Sequence, residues 1–184
     1  MPDSGIDFPP TGISDGVVTL RPVTYADVPA VVDACKDPSI RRFNSAPANE
    51  LAAREWVDGA TDDRPTSHAF RLAIADAMSE ELLGSLGVPE ADFDTERAEV
   101  GYWLVDSARG RGLATKALHL FCSWAFRELP LARLEAIPEV ENTQSHRVLE
   151  RVGFKREGVL RSYQVVHGER RDMVMYSLLP EELS

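Results

Sequence analysis

The chain has 184 residues, a formal net charge of −10 and 43% hydrophobic residues. That length suits one domain with its own core, and the acidic balance argues against nonspecific binding to nucleic acid. No run approaches the roughly 20 apolar residues of a membrane span, and the opening MPDSGIDFPPTG lacks the basic start and apolar stretch of a signal peptide.

Residues 1–15 read as a flexible leader, followed by one domain over 16–184. GVVTLRPV (16–23) reads as a strand closed by Pro22. TYADVPAVVDACKD opens with Thr24 at an N-cap position and repeats its apolar residues at helical spacing. DPSIRRFNSAP is a short helix or irregular turn. NELAAREWVDGA (49–60) is a helix capped by Asn49 and ended near Gly59. SHAFRLAIAD and ELLGSLGVPE flank AMSE as a hairpin, and ERAEVGYWLV (96–105) is the next strand. GLATKALHLFCSWAFREL is apolar almost all round, so this helix is expected to be well buried. LARLEAIPE is a strand and NTQSHRVLERV a capped helix, with Gly153 at the C′ position. FKREGVLRSYQVV and RRDMVMYSLL are strands joined by HGER.

The resulting order, βααβββαβαββ, predicts an α/β domain with a mixed sheet and helices on both faces. The strand at 96–105 and the one near 131–138 are separated by a helix and can therefore pair in parallel.

Charge is uneven along the chain. Residues 1–108 hold 8 Lys/Arg and 20 Asp/Glu, whereas 109–184 hold 12 and 10. An anionic ligand is better received by the second part and a cationic one by the first; solvated surface charge gives the same pattern. Cys35 and Cys122 lie in helical patterns and are expected to be reduced and buried, in a cytoplasmic protein. His68, His119, His146 and His167 are scattered without ligand spacing, so no metal site is expected. Trp56, Trp103 and Trp124 read mainly as packing residues. Tyr25, Tyr163, Arg161 and Asp172 are weaker candidates for an acceptor pocket.

The stretch SARGRGLATKAL (107–118) carries the chemistry. A strand that ends in ARGRGLAT and feeds a helix directs several first-turn N–H groups to one point, and the helix dipole adds positive potential there. Gly110 and Gly112 remove Cβ atoms that would hold a ligand off the backbone, while Arg109 and Arg111 can neutralise phosphate. The spacing does not fit GxxxxGK[ST], and Thr115 stands at the third glycine of a dinucleotide GxGxxG, although Glu135 could stand in for the ribose-binding acid of that fold. A plain tight connection also accounts for the glycines.

Arg109-Gly110-Arg111-Gly112-Leu113-Ala114 matches the Q/R-x-x-G-x-G/A loop that holds the acetyl-CoA pyrophosphate in GNAT acetyltransferases. EVGYWLVDSARGRGLATKAL, RLEAIPEVENTQSHRVLERVGFKREGVLR, DMVMYSLL and LRPVTYAD resemble the Rim-type branch, which includes N-terminal acetyltransferases of ribosomal proteins. The resemblance spans about residues 16–179. It implies a splayed sheet with acetyl-CoA wedged between the strands 96–105 and 131–138. The free backbone of Trp103, Leu104 and Val105 would bind the pantetheine arm and acetyl carbonyl, amides from Gly110 to Thr115 (through Leu113 and Ala114) the pyrophosphate, and Asn142 the pantetheine. Asn142 reads equally as a helix N-cap.

Glu99 matches an acid of the branch and is expected to be the general base; as a residue alone it reads also as surface strand. Ser145 matches a serine proposed to serve the leaving thiolate in some members of the branch. A serine is a poor acid, better suited to positioning water or hydrogen-bonding the sulfur, and the residue reads also as a first-turn helix serine. The tyrosine that many relatives place on this helix is Leu149 here, a departure from the pattern. The implied activity is acetyl transfer from acetyl-CoA to a primary amine, foremost a cationic peptide or protein N-terminus. Alternatives are a small cationic amine or antibiotic as acceptor, and a CoA-binding sensor without turnover. No metal, nucleic acid or membrane partner is implied, and a homodimer is compatible with the sequence.

Overall fold

The computed structural model describes residues 8–43, 47, 49–64 and 67–183, with 61–64, 67 and 68 as backbone. In chain order the elements are β1 (Ile13–Ser14), β2 (Val18–Pro22), α1 (Val28–Ala34), α2 (Pro38–Phe43), α3 (Glu50–Asp58), β3 (Thr61–Arg64), β4 (Ser67–Asp76), β5 (Leu82–Asp92), β6 (Arg97–Leu104), α4 (Leu113–Glu128), β7 (Arg133–Ala136), α5 (Thr143–Val152), β8 (Lys155–Val166) and β9 (Glu169–Leu178). The sheet runs β1-β2-β4-β5-β6-β7-β9-β8, with β3 on β4 beside that path. All pairings are antiparallel except β6 with β7. A parallel pair needs a crossover, and α4 supplies it.

The two faces bury separate cores. Leu118, Phe121, Trp124 and Leu149 pack with Val100, Leu134 and Tyr176 under α4 and α5. Val28, Val31, Ala53, Ala73 and Leu82 pack under α1 and α3. Each large side chain withdrawn from water contributes about 1.5–3 kcal/mol, which makes α4, with seven buried residues, the principal brace of the fold. Cys35 and Cys122 are free and buried.

Two strands differ from expectation. β1 lies inside the supposed leader: Ile13 and Ser14 pair with Leu20 and Thr19, and the Phe8 ring meets Trp124 edge-on at 4.8 Å. Residues 8–15 are thus part of the domain, held by hydrogen bonds and aromatic packing rather than by an apolar pattern; 1–7 lie outside the described residues. β3, TDDR, carries no apolar alternation and forms by pairing with Ser67–Phe70.

Candidate active site

The site begins where two strands part. β6 pairs with β7 only over Arg97–Glu99 and Arg133–Glu135. Beyond Ala136 the chain turns to β9, with Val174 N–H donating to Pro138 O at 2.8 Å and Glu139 bridging to Met173. Residues 100–104 of β6 therefore have no partner strand on that edge, and the sheet opens as a cleft.

Alternation decides which backbone groups face the cleft. Val105 N–H donates to Leu83 O at 2.9 Å, so Val105 and Trp103 point their polar groups to β5, and Leu104 and Tyr102 point theirs to the open edge. This corrects the expectation for Trp103 and Val105. The Leu104 carbonyl accepts from Arg109 Nε at 3.0 Å and Nη2 at 2.8 Å.

The glycine loop follows a short 3-10 turn, Asp106–Ala108. Gly110 and Gly112 have φ of +72° and +76°, a left-handed conformation that favours glycine. A Cβ built on either meets nothing within 4 Å, so a ligand can approach the backbone closely. Gly112 is the N-cap of α4 and offers no side-chain bond to the first turn, which leaves the N–H groups of Leu113, Ala114 and Thr115 without intrahelical acceptors. Thr115 Oγ1 is buried there without a hydrogen-bond partner. The features fit a bound phosphate group.

Arg109 is a further correction. Its guanidinium faces inward, with Nη2 2.8 Å from Asp37 Oδ2 and Nη1 3.0 Å from Ser39 Oγ. It ties the start of α2 to the end of β6 instead of extending to the loop's open side. Arg111 is exposed beside that side.

A cavity of about 620 Å³ is bordered by Glu99, Tyr102, Trp103, Asn142 and Ser145, with Trp56 on the wall formed by α3. Trp56 and Trp103 thus border the cavity as well as packing under α1 and α3. A β-bulge between Gly87 and Glu90 lies at its edge. Glu99 sits between Glu90 and Glu135 in register. Burial first, then the fields of Glu135 and Glu90, push its carboxyl above the ordinary range. Among the described residues its carboxylate has no hydrogen bond or ion pair. Glu135, by contrast, accepts from Arg133 Nε at 2.7 Å.

Asn142 caps α5, its Oδ1 accepting from Ser145 N–H at 3.1 Å, while also bordering the cavity. Ser145 Oγ lies 3.0 Å from the Tyr102 hydroxyl. Burial raises the Tyr102 pKa well above its ordinary value, so this phenol stays protonated. Tyr102 was not singled out in the sequence, although EVGYWLV puts it on the cleft strand. Leu149 is fully buried and supplies no hydroxyl.

Other candidates lie elsewhere. Tyr25 hydrogen-bonds Asp58, Asp172 accepts from Ser162 N–H at 2.7 Å, and Tyr163 and Arg161 are exposed; none borders the cavity. His146 and His167 bond to the carbonyls of Val140 and Arg41, His119 lies on α4, and the His68 side chain lies outside the described residues. Among the described residues, Glu99 is the acid of the acidic half that borders the cavity, while Asp27 and Asp37 pair with Arg21 and Arg109.

A mixed sheet that splays beside an open helix N-terminus, with a half-buried carboxylate and a hydroxyl pair on the cavity wall, defines a group-transfer enzyme. The sequence profile of the Acetyltransferase (GNAT) domain matches residues 18–155, and the chain belongs to the GNAT acetyltransferase family. The uncharacterized N-acetyltransferase p20 of Bacillus licheniformis is 32% identical over 167 residues, 90% of this chain and 94% of that protein. The putative ribosomal N-acetyltransferase YdaF of Bacillus subtilis is 38% identical over 101 residues, 55% of each chain. The microcin C7 self-immunity acetyltransferase MccE, solved in complex with acetyl-CoA and AMP, shares the fold at a TM-score of 0.81 and 22% identity, covering 92% of this chain and 97% of that one. Among the described residues, no helix is long and apolar enough to cross a membrane.

Proposed function

We propose that this N-acetyltransferase uses acetyl-CoA to acetylate the α-amine of a protein or peptide N-terminus. The open, uncapped start of α4 beside the unpaired edge of β6 carries this reading, since it provides adjoining places for a pyrophosphate and an extended pantetheine arm. The acetyl-CoA bound to MccE and the ribosomal designation of YdaF support it.

Acetyl-CoA would supply the activated acetyl group. The N–H groups of Gly110–Thr115, the Thr115 hydroxyl and Arg111 would hold its pyrophosphate, and the open-edge backbone of Tyr102 and the Leu104 N–H, with Asn142, its pantetheine arm. Glu99 accepts a proton from the acceptor ammonium and passes it to solvent, leaving a lone pair on nitrogen for attack at the thioester carbon. It takes the second proton from that nitrogen as the tetrahedral intermediate collapses to the amide. An α-amine with an ordinary pKa near 8 suits a carboxylate base better than a lysine near 10.4. As the carbon–sulfur bond breaks, the Ser145 hydroxyl donates a proton to sulfur and recovers one from Tyr102, which regains its own from solvent.

A thiol-release assay with acetyl-CoA and a panel of amines tests this function. Turnover with N-terminal peptides, lost in Glu99→Gln, is expected. Acetyl-CoA binding without turnover on any amine would contradict it and favour a sensor.

A further inference from the structure

Glu139 is only 7% exposed, and among the described residues its carboxylate makes no hydrogen bond or ion pair. Its backbone is fixed on both sides. The carbonyl accepts from Asn142 N–H at 3.0 Å, the residue bridges to Met173, and Pro138 O accepts from Val174 N–H. Glu139 borders the same cavity as Glu99 and Ser145. Neither carboxylate oxygen is among the fully buried atoms lacking partners, so the small exposed part of the residue includes its charged end.

A carboxylate at the open end of a mostly buried side chain, with no protein partner, is suited to pair with a cation that enters the cavity. Among the described residues, the cationic side chains that border the cavity do not provide one. Arg71 also borders the cavity, but its Nη1 donates to Trp56 O at 3.1 Å and Gly59 O at 2.9 Å, and the group lies over the Trp56 ring. It is held at the C-terminal end of α3, where helix carbonyls favour positive charge. His167 is bonded to Arg41 O. The cavity therefore presents two carboxylates from different elements, Glu99 on β6 and Glu139 after β7.

We propose that Glu139 is an acceptor-recognition residue, pairing with a second positive charge on the acceptor while Glu99 deprotonates the amine to be acetylated. This rests on the acetyl-transfer reading above and narrows its substrate class to acceptors that join a primary amine to a second cation. A basic side chain close behind a peptide N-terminus has this chemistry, and so does an aliphatic diamine.

The test compares matched acceptors with the full chain and saturating acetyl-CoA. One pair is a peptide with lysine at its second position against the same peptide with norleucine; the other is diaminobutane against butylamine. The wild type should favour the doubly cationic member of at least one pair by about ten- to a hundredfold in kcat/KM, mainly through KM, and the pair that responds identifies the source. Glu139→Gln should erase that preference while keeping the rate on the singly charged partner and the KM for acetyl-CoA. A preference that survives in Glu139→Gln, an equal loss on both members, or turnover with no preference in the wild type would overturn the assignment alone. Absence of turnover with every amine would overturn acetyl transfer and this assignment together.

Discussion

Arg109 Nη2 lies 2.8 Å from Asp37 Oδ2, so the first arginine of the glycine loop clamps α2 to the end of β6. Both side chains are mostly shielded, at 24% and 20% exposure, where a charge-assisted pair is screened less than on an open surface. Removing either partner should cost about 1–3 kcal/mol of stability. Asp37→Asn and Arg109→Gln should lower the thermal midpoint and raise the acceptor KM, because Phe43 of α2 borders the cavity. Arg111→Ala should instead weaken acetyl-CoA binding in a salt-dependent way. Paired thermal melts and calorimetric titrations check this. A fully stable Arg109→Gln with salt-sensitive loss of acetyl-CoA affinity would return Arg109 to the phosphate.

Gly112→Val tests the cradle. The substituted Cβ meets no protein atom, so the direct cost is that of a left-handed φ, about 1–2 kcal/mol, and the fold should survive. Acetyl-CoA affinity should fall about tenfold or more, since the side chain occupies the approach to the first-turn N–H groups. Unchanged affinity in a folded variant, measured by calorimetry, would place the pyrophosphate elsewhere.

Glu99→Gln separates function from stability. Burial and the neighbouring Glu135 and Glu90 raise the native pKa of Glu99, so the unfolded state ionises more readily. Its unfavourable contribution is absent below the unfolded pKa and complete above the raised native one. Removing the charge should therefore maintain or raise the melting temperature at pH 7, while turnover falls about 10²–10⁴-fold. Wild-type activity should rise with pH through the elevated Glu99 titration, and higher pH should partly rescue the variant by supplying free amine. Undiminished turnover at pH 7 would remove Glu99 from the reaction.

Ser145 and Tyr102 should behave as one unit. Ser145→Ala and Tyr102→Phe each break the 3.0 Å hydroxyl contact, so their effects on kcat should not add. Each is expected to cost about tenfold, below the roughly 10²–10⁴-fold of a full general acid or base, and the double variant little more. Independent, multiplying losses in a double-mutant cycle would show that no shared proton path exists.

Much of this architecture is legible in the chain. The apolar period marks α4 and α5, the Asn142–Ser145 spacing marks a cap, and Gly153 stands in the left-handed conformation expected of a C′ residue. β1 and β3 are not legible, because short pairings beside longer strands need no apolar alternation of their own. The roles of Arg109 and Tyr102 depend on contacts 70 and 43 residues away, which local spacing does not encode. Glu99 is legible as an acid on the cleft strand, but its raised pKa depends on the register that sets it between Glu90 and Glu135.

The central claim is acetylation of an α-amine, and mass-spectrometric mapping tests it most directly. A peptide with one free N-terminus and one internal lysine would be incubated with acetyl-CoA and the enzyme, then fragmented to locate the added acetyl group. The account predicts acetyl on the α-amine, absent when Glu99→Gln replaces the wild type at pH 7. Acetyl found only on the lysine side chain, or transfer of equal extent with Glu99→Gln, would contradict it.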